Sequence, residues 1–540
     1  MICAVCKKGK NPTKCEICGF SDNGVINREF VNVEDANHWF ETVVKSYRIQ
    51  WEAEKKEVEL LTQIEELRKK VIDVSAKLEA SEKNIFKSSN LLESAKKSKR
   101  FAKKMTDMTI ILTICVIAII IYVMSPSFNI VEKHDTSWFT KNSDASTFTI
   151  KTAEQLAGLA HLVNNGNNFS GKTITLTQNI DLSKYDNWVP IGTSTRDDSS
   201  NFSGTFNGSG YIISNLTINR PDDNNQGLFG RIVNGKVENL GLDSVNIRGR
   251  NNVGGVAGRV DSGYVTNCYS IGTINSTDRN AGGVVGSLRN NSNIANSFST
   301  ATINGISQIG GVVGMVIDSS IVTESYFTGA INGINNFIGG VAGVVHHSSS
   351  VTSCYSVAAV NGNNYVGGVA GLVQDNSNVS NSYSGGLVKG TLNVGGVVGY
   401  LIDNSNVSNS YSTSEVTGEF HIGGIVGILG NSSITNSAAL NSHVSGDLRI
   451  SRVLGVTYSG TTLTLSNNVA FVGMKNHIDT TAYSFIGMAD RSGGNITATS
   501  IRSDRTIGGR FTQTNGWTTE PGKLPGLGGK AVDMPPHLSK

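Results

Sequence analysis

A glycine recurs from Gly230 to Gly455 at a spacing of 28 residues, with one step of 29. Self-similarity at a fixed period marks stacked structural units, each of which contacts its neighbours. The repeat therefore predicts a solenoid and not a single globular core. The recurring residues are Gly230, Gly258, Gly286, Gly314, Gly343, Gly371, Gly399, Gly427 and Gly455.

Two positions before each of these glycines stands an apolar residue, and most of these residues are β-branched. β-branched side chains suit a pleated strand better than a helix. The repeats show no stripe of period 3.6, which argues against ankyrin-like or armadillo-like helical arrays. Each repeat is therefore predicted to contribute strands. The column is Leu228, Val256, Val284, Val312, Val341, Val369, Val397, Ile425 and Val453.

A second phrase, typified by Val407-Ser-Asn-Ser-Tyr-Ser, follows later in each repeat and keeps the same register. Like-on-like stacking of this kind is typical of a parallel β-helix, in which neighbouring coils lie about 4.8 Å apart. Cys268 and Cys354 share one repeat position three coils apart, so we expect small inward-packed thiols without a disulfide. The predicted fold class is mainly β, a parallel β-helix of coils of about 28 residues. The aromatic column is Tyr269, Phe298, Tyr326, Tyr355, Tyr383 and Tyr411, and the asparagine column is Asn239, Asn267, Asn296, Asn381, Asn409 and Asn436.

A long apolar segment divides the chain. The net charge of +3 and the 16% of charged residues argue against a nucleic-acid binder and a disordered polyampholyte. Residues 108–124 are uncharged and follow a lysine-rich cluster, which predicts one transmembrane helix over 105–125. The positive-inside rule then gives a single-pass protein of the cell membrane, with a cytoplasmic N-terminus and an extracytoplasmic solenoid.

A heptad pattern precedes the apolar segment, within a helical region predicted over 23–104. One seam position of the heptad holds Ile64, Val71, Leu78 and Ile85, and the other holds Leu60, Leu67 and Val74. This pattern favours a parallel two-stranded coiled coil and hence a homodimer. The alternatives are a single amphipathic helix packed on another element and a stalk that stays unpaired, because Ser81 and Ser88 weaken the seam.

Two CxxC motifs lie at the start of the sequence. Cys3, Cys6, Cys15 and Cys18 are spaced to hold one tetrahedral ion, and four thiolates suit structural Zn²⁺. A redox-active CxxC pair and an iron site are the alternatives, and a reducing cytoplasm favours zinc. The segment 1–22 resembles the short zinc-ribbon domains at the N-termini of many bacterial membrane-anchored proteins, which implies interaction or scaffolding.

The remaining boundaries follow from changes in pattern. We predict a linker over 126–147, an N-terminal cap with the first coils over 148–226, and the repeats over 227–455. A helix in the cap is predicted to open with a capping box of Thr152 and Gln155. Residues 456–528 are predicted to close the solenoid, and 529–540 to form a loose tail.

From about Phe148 onward the chain resembles the GLUG-repeat proteins of bacterial surfaces. The phrases that carry this resemblance include Trp188-Val-Pro-Ile-Gly192, Phe202-Ser-Gly-Thr-Phe-Asn-Gly208 and Gly227-Leu-Phe-Gly230. The resemblance implies a right-handed β-helix on the cell surface, used for adhesion or passive display, and brings no catalytic residues. Some members attach an immunoglobulin-A peptidase of the zinc metalloprotease type, but His-Glu-x-x-His does not occur in this sequence.

No catalytic motif stands out in the repeats, and the protein is predicted not to be an enzyme. The acidic and histidine residues are expected to be corner and surface residues spread over several coils without a shared face. The function predicted is a surface adhesin or binding scaffold for a glycan or protein. The alternatives are a carbohydrate-active enzyme on the same fold and a transmembrane coupling protein acting through its zinc ribbon. The residues concerned are Asp261, Asp318, Asp375, Asp403, Glu324, Glu415, His346 and His347.

Overall fold

A computed structural model describes residues 134–193, 200–458, 463–476, 483–484 and 486–539. Over these residues the chain winds as a mainly β, right-handed-type solenoid of about 12 coils. The ladders between its strands are parallel, with each residue opposite its counterpart about 28 positions along. The predicted parallel β-helix is confirmed.

Each full coil passes through four sheets in a fixed order, numbered here from sheet 1 to sheet 4. Sheet 1 has 12 strands: Thr147–Ile150, Thr173–Leu176, Thr205–Asn207, Lys236–Glu238, Tyr264–Thr266, Asn293–Ala295, Ile321–Thr323, Ser350–Thr352, Asn378–Ser380, Asn406–Ser408, Ser433–Thr435 and Thr464–Ser466. Sheet 2 has 17 strands: Ile180–Asp181, Ile212–Ser214, Thr217–Arg220, Gly241–Gly249, Tyr269–Ser276, Phe298–Ser299, Thr302–Gly305, Tyr326–Phe327, Ala330–Gly333, Tyr355–Asn361, Tyr383–Lys389, Tyr411–Ser412, Glu415–Thr417, Ala438–Ala439, Val444–Ser445, Val469–Phe471 and Gly494–Ile496.

Sheets 3 and 4 complete the coil and are joined by the glycine-rich phrase of the repeat. Sheet 3 has 8 strands: Val253–Gly254, Arg279–Gly282, Ser307–Gly310, Asn336–Gly339, Asn364–Gly367, Leu392–Gly395, Phe420–Gly423 and Leu448–Ser451. Sheet 4 has 9 strands: Phe229–Val233, Ala257–Asp261, Val285–Arg289, Val313–Val316, Ala342–Val345, Ala370–Val373, Val398–Ile402, Val426–Gly430 and Leu454–Thr457.

The interior is a stack of like residues. Every member of the apolar column from Leu228 to Val453 is fully buried. Serine ladders close the corners, since the backbone N–H of Ser292 donates to Oγ of Ser320 at 3.1 Å and later coils repeat this bond. Such bonds satisfy backbone donors that would otherwise be buried without partners. Cys268 and Cys354 are buried free thiols in a second ladder, as predicted, and burial raises the pKa of each to about 12.

Most repeats have a motif with three glycines, and these positions require glycine because neighbouring backbone atoms leave no room for a Cβ. In the coil of Gly395, Gly396 and Gly399, a Cβ on the first glycine would collide with the carbonyl oxygen of Val398 in the same turn. A Cβ on Gly396 would collide with the carbonyl of Gly424 in the next coil. A Cβ on Gly399 would collide with the backbone of sheet 3 in the preceding coil. The repeated glycine motif is therefore a packing motif.

An N-terminal helix covers the first coil. The helix Ala153–Asn164 begins at Thr152, whose side chain accepts a hydrogen bond from the backbone N–H of Gln155 at 3.2 Å. The Gln155 side chain accepts in return from the N–H of Lys151, one residue before the cap, at 3.0 Å. The predicted capping helix is confirmed, and its inner side is buried through Leu156, Leu159, Ala160 and Val163.

The described part of the predicted linker belongs to this cap. A short helix, Ser137–Thr140, buries Phe139, whose ring lies 5.0 Å from that of Phe169. The backbone N–H of Asp135 also donates to the carbonyl of Glu154 at 2.7 Å. A linker over 126–147 was therefore the wrong prediction for 134–147, because aromatic side chains there pack on the first coils.

A C-terminal cap closes the other end. It contains the helices Ala498–Ser503 and Pro536–Ser539 and the 3₁₀ turn Gln513–Asn515, and it buries Trp517. The predicted loose tail is wrong for 529–539, because Leu538 is fully buried and the side chain of His537 bonds the carbonyl of Leu440 at 2.7 Å.

Three predicted segments lie outside the described residues: the zinc ribbon over 1–22, the coiled-coil region over 23–104 and the transmembrane helix over 105–125. Cys3, Cys6, Cys15 and Cys18 lie in the first of these. Within the described ranges, no helix is both long enough and apolar enough to cross a membrane.

Candidate functional site

An open polar groove of about 570 Å³ runs along the corner where sheet 4 turns into sheet 1. Four successive coils each contribute two adjacent side chains to it, and the two residues of every pair are in the left-handed backbone conformation. We call this feature the corner groove. Its lining residues are Asn290, Asn291, Asp318, Ser319, His347, Ser348, Asp375 and Asn376.

Local conformation explains which residue types occupy this corner. Asparagine, aspartate and histidine are enriched several-fold among non-glycine residues with positive φ. At His347 and Ser348, for example, φ is 52° and 59°. The backbone N–H of Ser348 donates to the carbonyl of Asp375 in the next coil at 2.8 Å, and Ser319 bonds His347 in the same way at 2.9 Å. The groove side chains therefore stand on a hydrogen-bonded ladder in fixed register.

His347 is the centre of the corner groove, with a carboxylate on either side. Its Nδ1 lies 3.2 Å from Oδ1 of Asp318 in the preceding coil, and its Nε2 lies 3.5 Å from Oδ2 of Asp375 in the following coil. The ring of His346 is 4.4 Å from that of His347, centroid to centroid. Burial lowers the pKa of His346, which favours its neutral imidazole, and the charge of His347 acts in the same direction.

An ion-pair cluster lies beyond the N-terminal end of the corner groove, on the outer face of sheet 4. Asp261 accepts two hydrogen bonds from Arg259, at 2.8 and 2.7 Å, and one from Arg231 at 2.9 Å. The Asp261 side chain is only 4% exposed, so these bonds compensate for its burial. Its role is structural.

The prediction that the acidic and histidine residues share no face was wrong for part of the set. Asp318, His347 and Asp375 line one corner, with His346 beside them, whereas Glu324 stands at the opposite corner of sheet 1 and Glu415 on sheet 2. The sequence held a signal that Asp318, His347 and Asp375 share one column, since the first residue of each groove pair follows a repeat glycine by four positions. The pairs are Gly286 and Asn290, Gly314 and Asp318, Gly343 and His347, and Gly371 and Asp375, and Asp403 follows Gly399 in the same way one coil beyond the groove.

The aromatic column forms a ladder of stacked rings on sheet 2, as predicted, and the asparagines of the second column all take the left-handed conformation at the edge of that sheet. Adjacent rings from Tyr269 to Tyr411 stack nearly parallel, with centroids 4.8–5.0 Å apart. The amide of Asn267 donates to that of Asn239 at 3.0 Å. Because the rings cover one another's faces, this side presents mainly ring edges, and the column chiefly stabilises the stack.

A third ladder of left-handed residues, on sheet 3, contains His421. Its Nε2 lies 3.5 Å from the guanidinium of Arg449, which can only donate, so Nδ1 carries the proton and donates to Oδ1 of Asn393 at 2.8 Å. Burial lowers the pKa of His421 to about 4, and the charge of Arg449 adds to the effect.

A pH dependence of stability follows from this lowered pKa. Because the unfolded histidine has a pKa near 6.5, the unfolded state binds the proton first as the pH falls toward 4. The contribution of His421 is therefore fully present above about pH 6.5 and is lost between pH 6.5 and 4. Replacing His421→Asn should reduce the acid-induced loss of unfolding free energy by about 2 kcal/mol.

The measurement is chemical denaturation of the original chain and the variant at pH 7.5 and pH 4.5. The pKa values of His346 and His537 are also lowered by burial, so only the difference between the two proteins is informative. Identical pH profiles would contradict the assignment of this effect to His421.

One repeat of the chain matches a known protein family. The family described as "The GLUG motif" matches residues 390–417, which form one coil through sheets 3, 4, 1 and 2. Together with the solenoid, this match supports a GLUG-repeat β-helix protein.

Two relatives share parts of the sequence. Halomucin of Haloquadratum walsbyi is 36% identical over 126 residues, which are 22% of this chain and 1% of the relative. A protein named "Putative Gly-rich membrane protein" of Evansella cellulosilytica is 35% identical over 140 residues, which are 24% of this chain and 15% of that protein. The chain therefore matches only a small share of either relative.

Among solved structures, the chain is similar to one described as a "putative immunoglobulin A1 protease" from Bacteroides ovatus. The two are 18% identical, and the superposition has a TM-score of 0.33. It covers 72% of this chain and 94% of the other.

Proposed function

We propose that this protein is a cell-surface binding scaffold, an adhesin whose β-helix holds an extended polar polymer, such as a polysaccharide chain, along the corner groove. The observation that carries the proposal is the groove itself. Four coils present the same pair of polar positions in line with the solenoid axis. A repeated surface of this kind is complementary to a repeating ligand.

The position of the polar groups supports binding. The second residues of the four pairs, Asn291, Ser319, Ser348 and Asn376, are exposed, while their backbone groups are held by the ladder between coils. Polar groups fixed in position before binding lose little conformational freedom when a ligand arrives. One relative is named as a membrane protein, which supports placing the solenoid at a membrane or cell surface. The predicted membrane anchor and dimer-forming coiled coil would then attach the solenoid to the cell.

The proposal predicts which side chains a ligand needs. Replacing the four second residues by glycine should weaken binding of a glycan at least about 10-fold, because each removed polar group costs about 0.5–1.5 kcal/mol. Glycine accepts the left-handed conformation without strain, so the groove backbone is expected to persist. Glycan and matrix-protein arrays probed with the full chain identify the ligand, and titration of the best ligand measures the loss.

The matched control replaces four left-handed asparagines on the other edge of sheet 1, Asn267, Asn296, Asn381 and Asn409, by glycine. Binding should then change less than about twofold, because these residues lie away from the corner groove. An equal loss in both variants would contradict the groove as the site, and no binding to any array would contradict the scaffold function.

One observation favours a carbohydrate-active enzyme as the second candidate. Two carboxylates flank His347 within the corner groove, and paired carboxylates with a nearby base are the groups that act on glycosidic bonds. Each polysaccharide that binds is therefore also incubated with the protein and assayed for new reducing ends or unsaturated products. Cleavage that disappears in His347→Gln would replace the scaffold proposal by the enzyme.

A further inference from the structure

Two residues of the corner groove, together with His346 beside it, form a group of side chains with the composition of a transition-metal site. His346, His347 and Asp375 each offer one ligand atom, and these three atoms lie within 4.8 Å of one another. The two histidines come from one coil and the aspartate from the next. Imidazole ligands suit Zn²⁺, Cu²⁺ and Ni²⁺, whereas Ca²⁺ and Mg²⁺ prefer oxygen ligands alone.

The distance between His347 and Asp375 fits a shared ion better than a direct hydrogen bond. Nε2 and Oδ2 are 3.5 Å apart, which is longer than the usual 2.7–3.2 Å for an N–H···O bond. Two ligands about 2.1 Å from a tetrahedral ion stand about 3.4 Å apart. The two side chains therefore already have nearly the separation that one ion would impose.

Asp318 completes an arrangement common around metal-binding histidines. Its carboxylate lies 3.2 Å from Nδ1 of His347 and is placed to accept the proton there, which leaves the lone pair of Nε2 directed toward Asp375. A carboxylate on the far nitrogen fixes the tautomer and orientation of a metal ligand and raises its basicity. Asp318 would thus act as a positioning residue and not as a ligand.

His346 provides an independent observation. Its Nδ1 is buried and has no hydrogen-bond partner among the described residues. Buried side-chain nitrogens nearly always have a partner, so an unpaired nitrogen on one of the three residues of this group requires an explanation. An ion held between His346, His347 and Asp375 would supply one.

We propose that His346, His347 and Asp375 bind one divalent transition-metal ion of the Zn²⁺ class, positioned by Asp318 and with a coordination position open to the corner groove. This site is separate from the cysteine site predicted at the N-terminus. It also does not depend on which polymer the groove binds.

The test uses the full chain carrying Cys3→Ser, Cys6→Ser, Cys15→Ser and Cys18→Ser, which removes the predicted thiolate site. Zn²⁺ is titrated against a chelating dye, and Co²⁺ is followed by its visible spectrum. We expect one ion per chain, with a Co²⁺ spectrum of nitrogen and oxygen ligands that lacks thiolate charge transfer. An excess of Ca²⁺ should not displace the Zn²⁺.

Three variants and one control locate the site. His347→Gln and Asp375→Asn should each weaken Zn²⁺ binding at least about 30-fold, and Asp318→Asn about 10-fold, the range found for outer partners of metal ligands. Asp403→Asn makes the same charge change one coil beyond Asp375 and should alter binding less than about twofold. Circular dichroism establishes that each variant retains the β-helix.

Several results would overturn the proposal. They are the absence of a stoichiometric ion, binding that Ca²⁺ displaces, and an Asp403→Asn effect equal to that of Asp375→Asn. The last result would mean that the column attracts cations by charge alone. Binding that survives both His347→Gln and Asp375→Asn would likewise exclude the site.

Discussion

Replacing Gly395→Ala is expected to destabilise the β-helix by about 3 kcal/mol or more, at the upper end of the cost of overpacking a dense interior. A Cβ at this position would lie well inside 3.0 Å of the Val398 carbonyl, a separation that real Cβ atoms essentially never show. The atoms in the way are backbone, so no side-chain rotation relieves the overlap. Both the turn and the ladder to the next coil must therefore shift.

The midpoint of thermal unfolding should fall by about 5 °C or more, measured by circular dichroism. Proteolysis should also show new cleavage near residue 395, because repeat proteins lose structure locally where a neighbouring interface is weakened. Gly385→Ala is the matched control. The nearest atom to its Cβ would be Oγ1 of Thr413 at 3.4 Å, an ordinary contact, so it should cost less than about 1 kcal/mol. Equal effects of the two substitutions would refute the account of the repeat glycines.

Replacing Trp517→Ala is expected to destabilise the C-terminal coils by about 3–5 kcal/mol, the usual cost of removing a buried tryptophan. The indole is 2% exposed and packs against Tyr411, the last ring of the aromatic column, with centroids 5.6 Å apart. It also lies 4.9 Å from Phe511 in the cap. Without the indole, the end of the column and the cap would lose their common partner.

Hydrogen exchange should show the loss of amide protection first in the last coils before the cap. Trp517→Phe should cost much less than Trp517→Ala, because the indole N–H is buried without a partner among the described residues and phenylalanine removes that donor. Ile334→Ala is the control for truncating a large side chain, since Ile334 is 66% exposed and should change stability by less than about 0.5 kcal/mol. A Trp517→Ala effect no larger than this control would mean that the indole does not support the column.

The sequence predicted most where residues recur. The column from Leu228 to Val453 has one environment in every coil, so its burial follows from the period alone. The asparagines and the stacked rings were predictable for the same reason, because parallel coils place like residues opposite one another. The predictions of a linker and a loose tail were wrong for 134–147 and 529–539, which lie outside the repeats. His537, for example, contacts Leu440, which is 97 positions away.

The amino-acid sequence by itself determined that this protein is a solenoid of about 28-residue coils, because spacing fixes the register between coils and the side-chain period fixes what faces inward. It also determined the need for glycine at each turn between sheets 3 and 4. Only the tertiary structure decided that Asp318, His347 and Asp375 come together at one corner beside His346. The reason is that the left-handed pairs at the corner set which way these side chains point, and distances between coils arise only when the chain is wound.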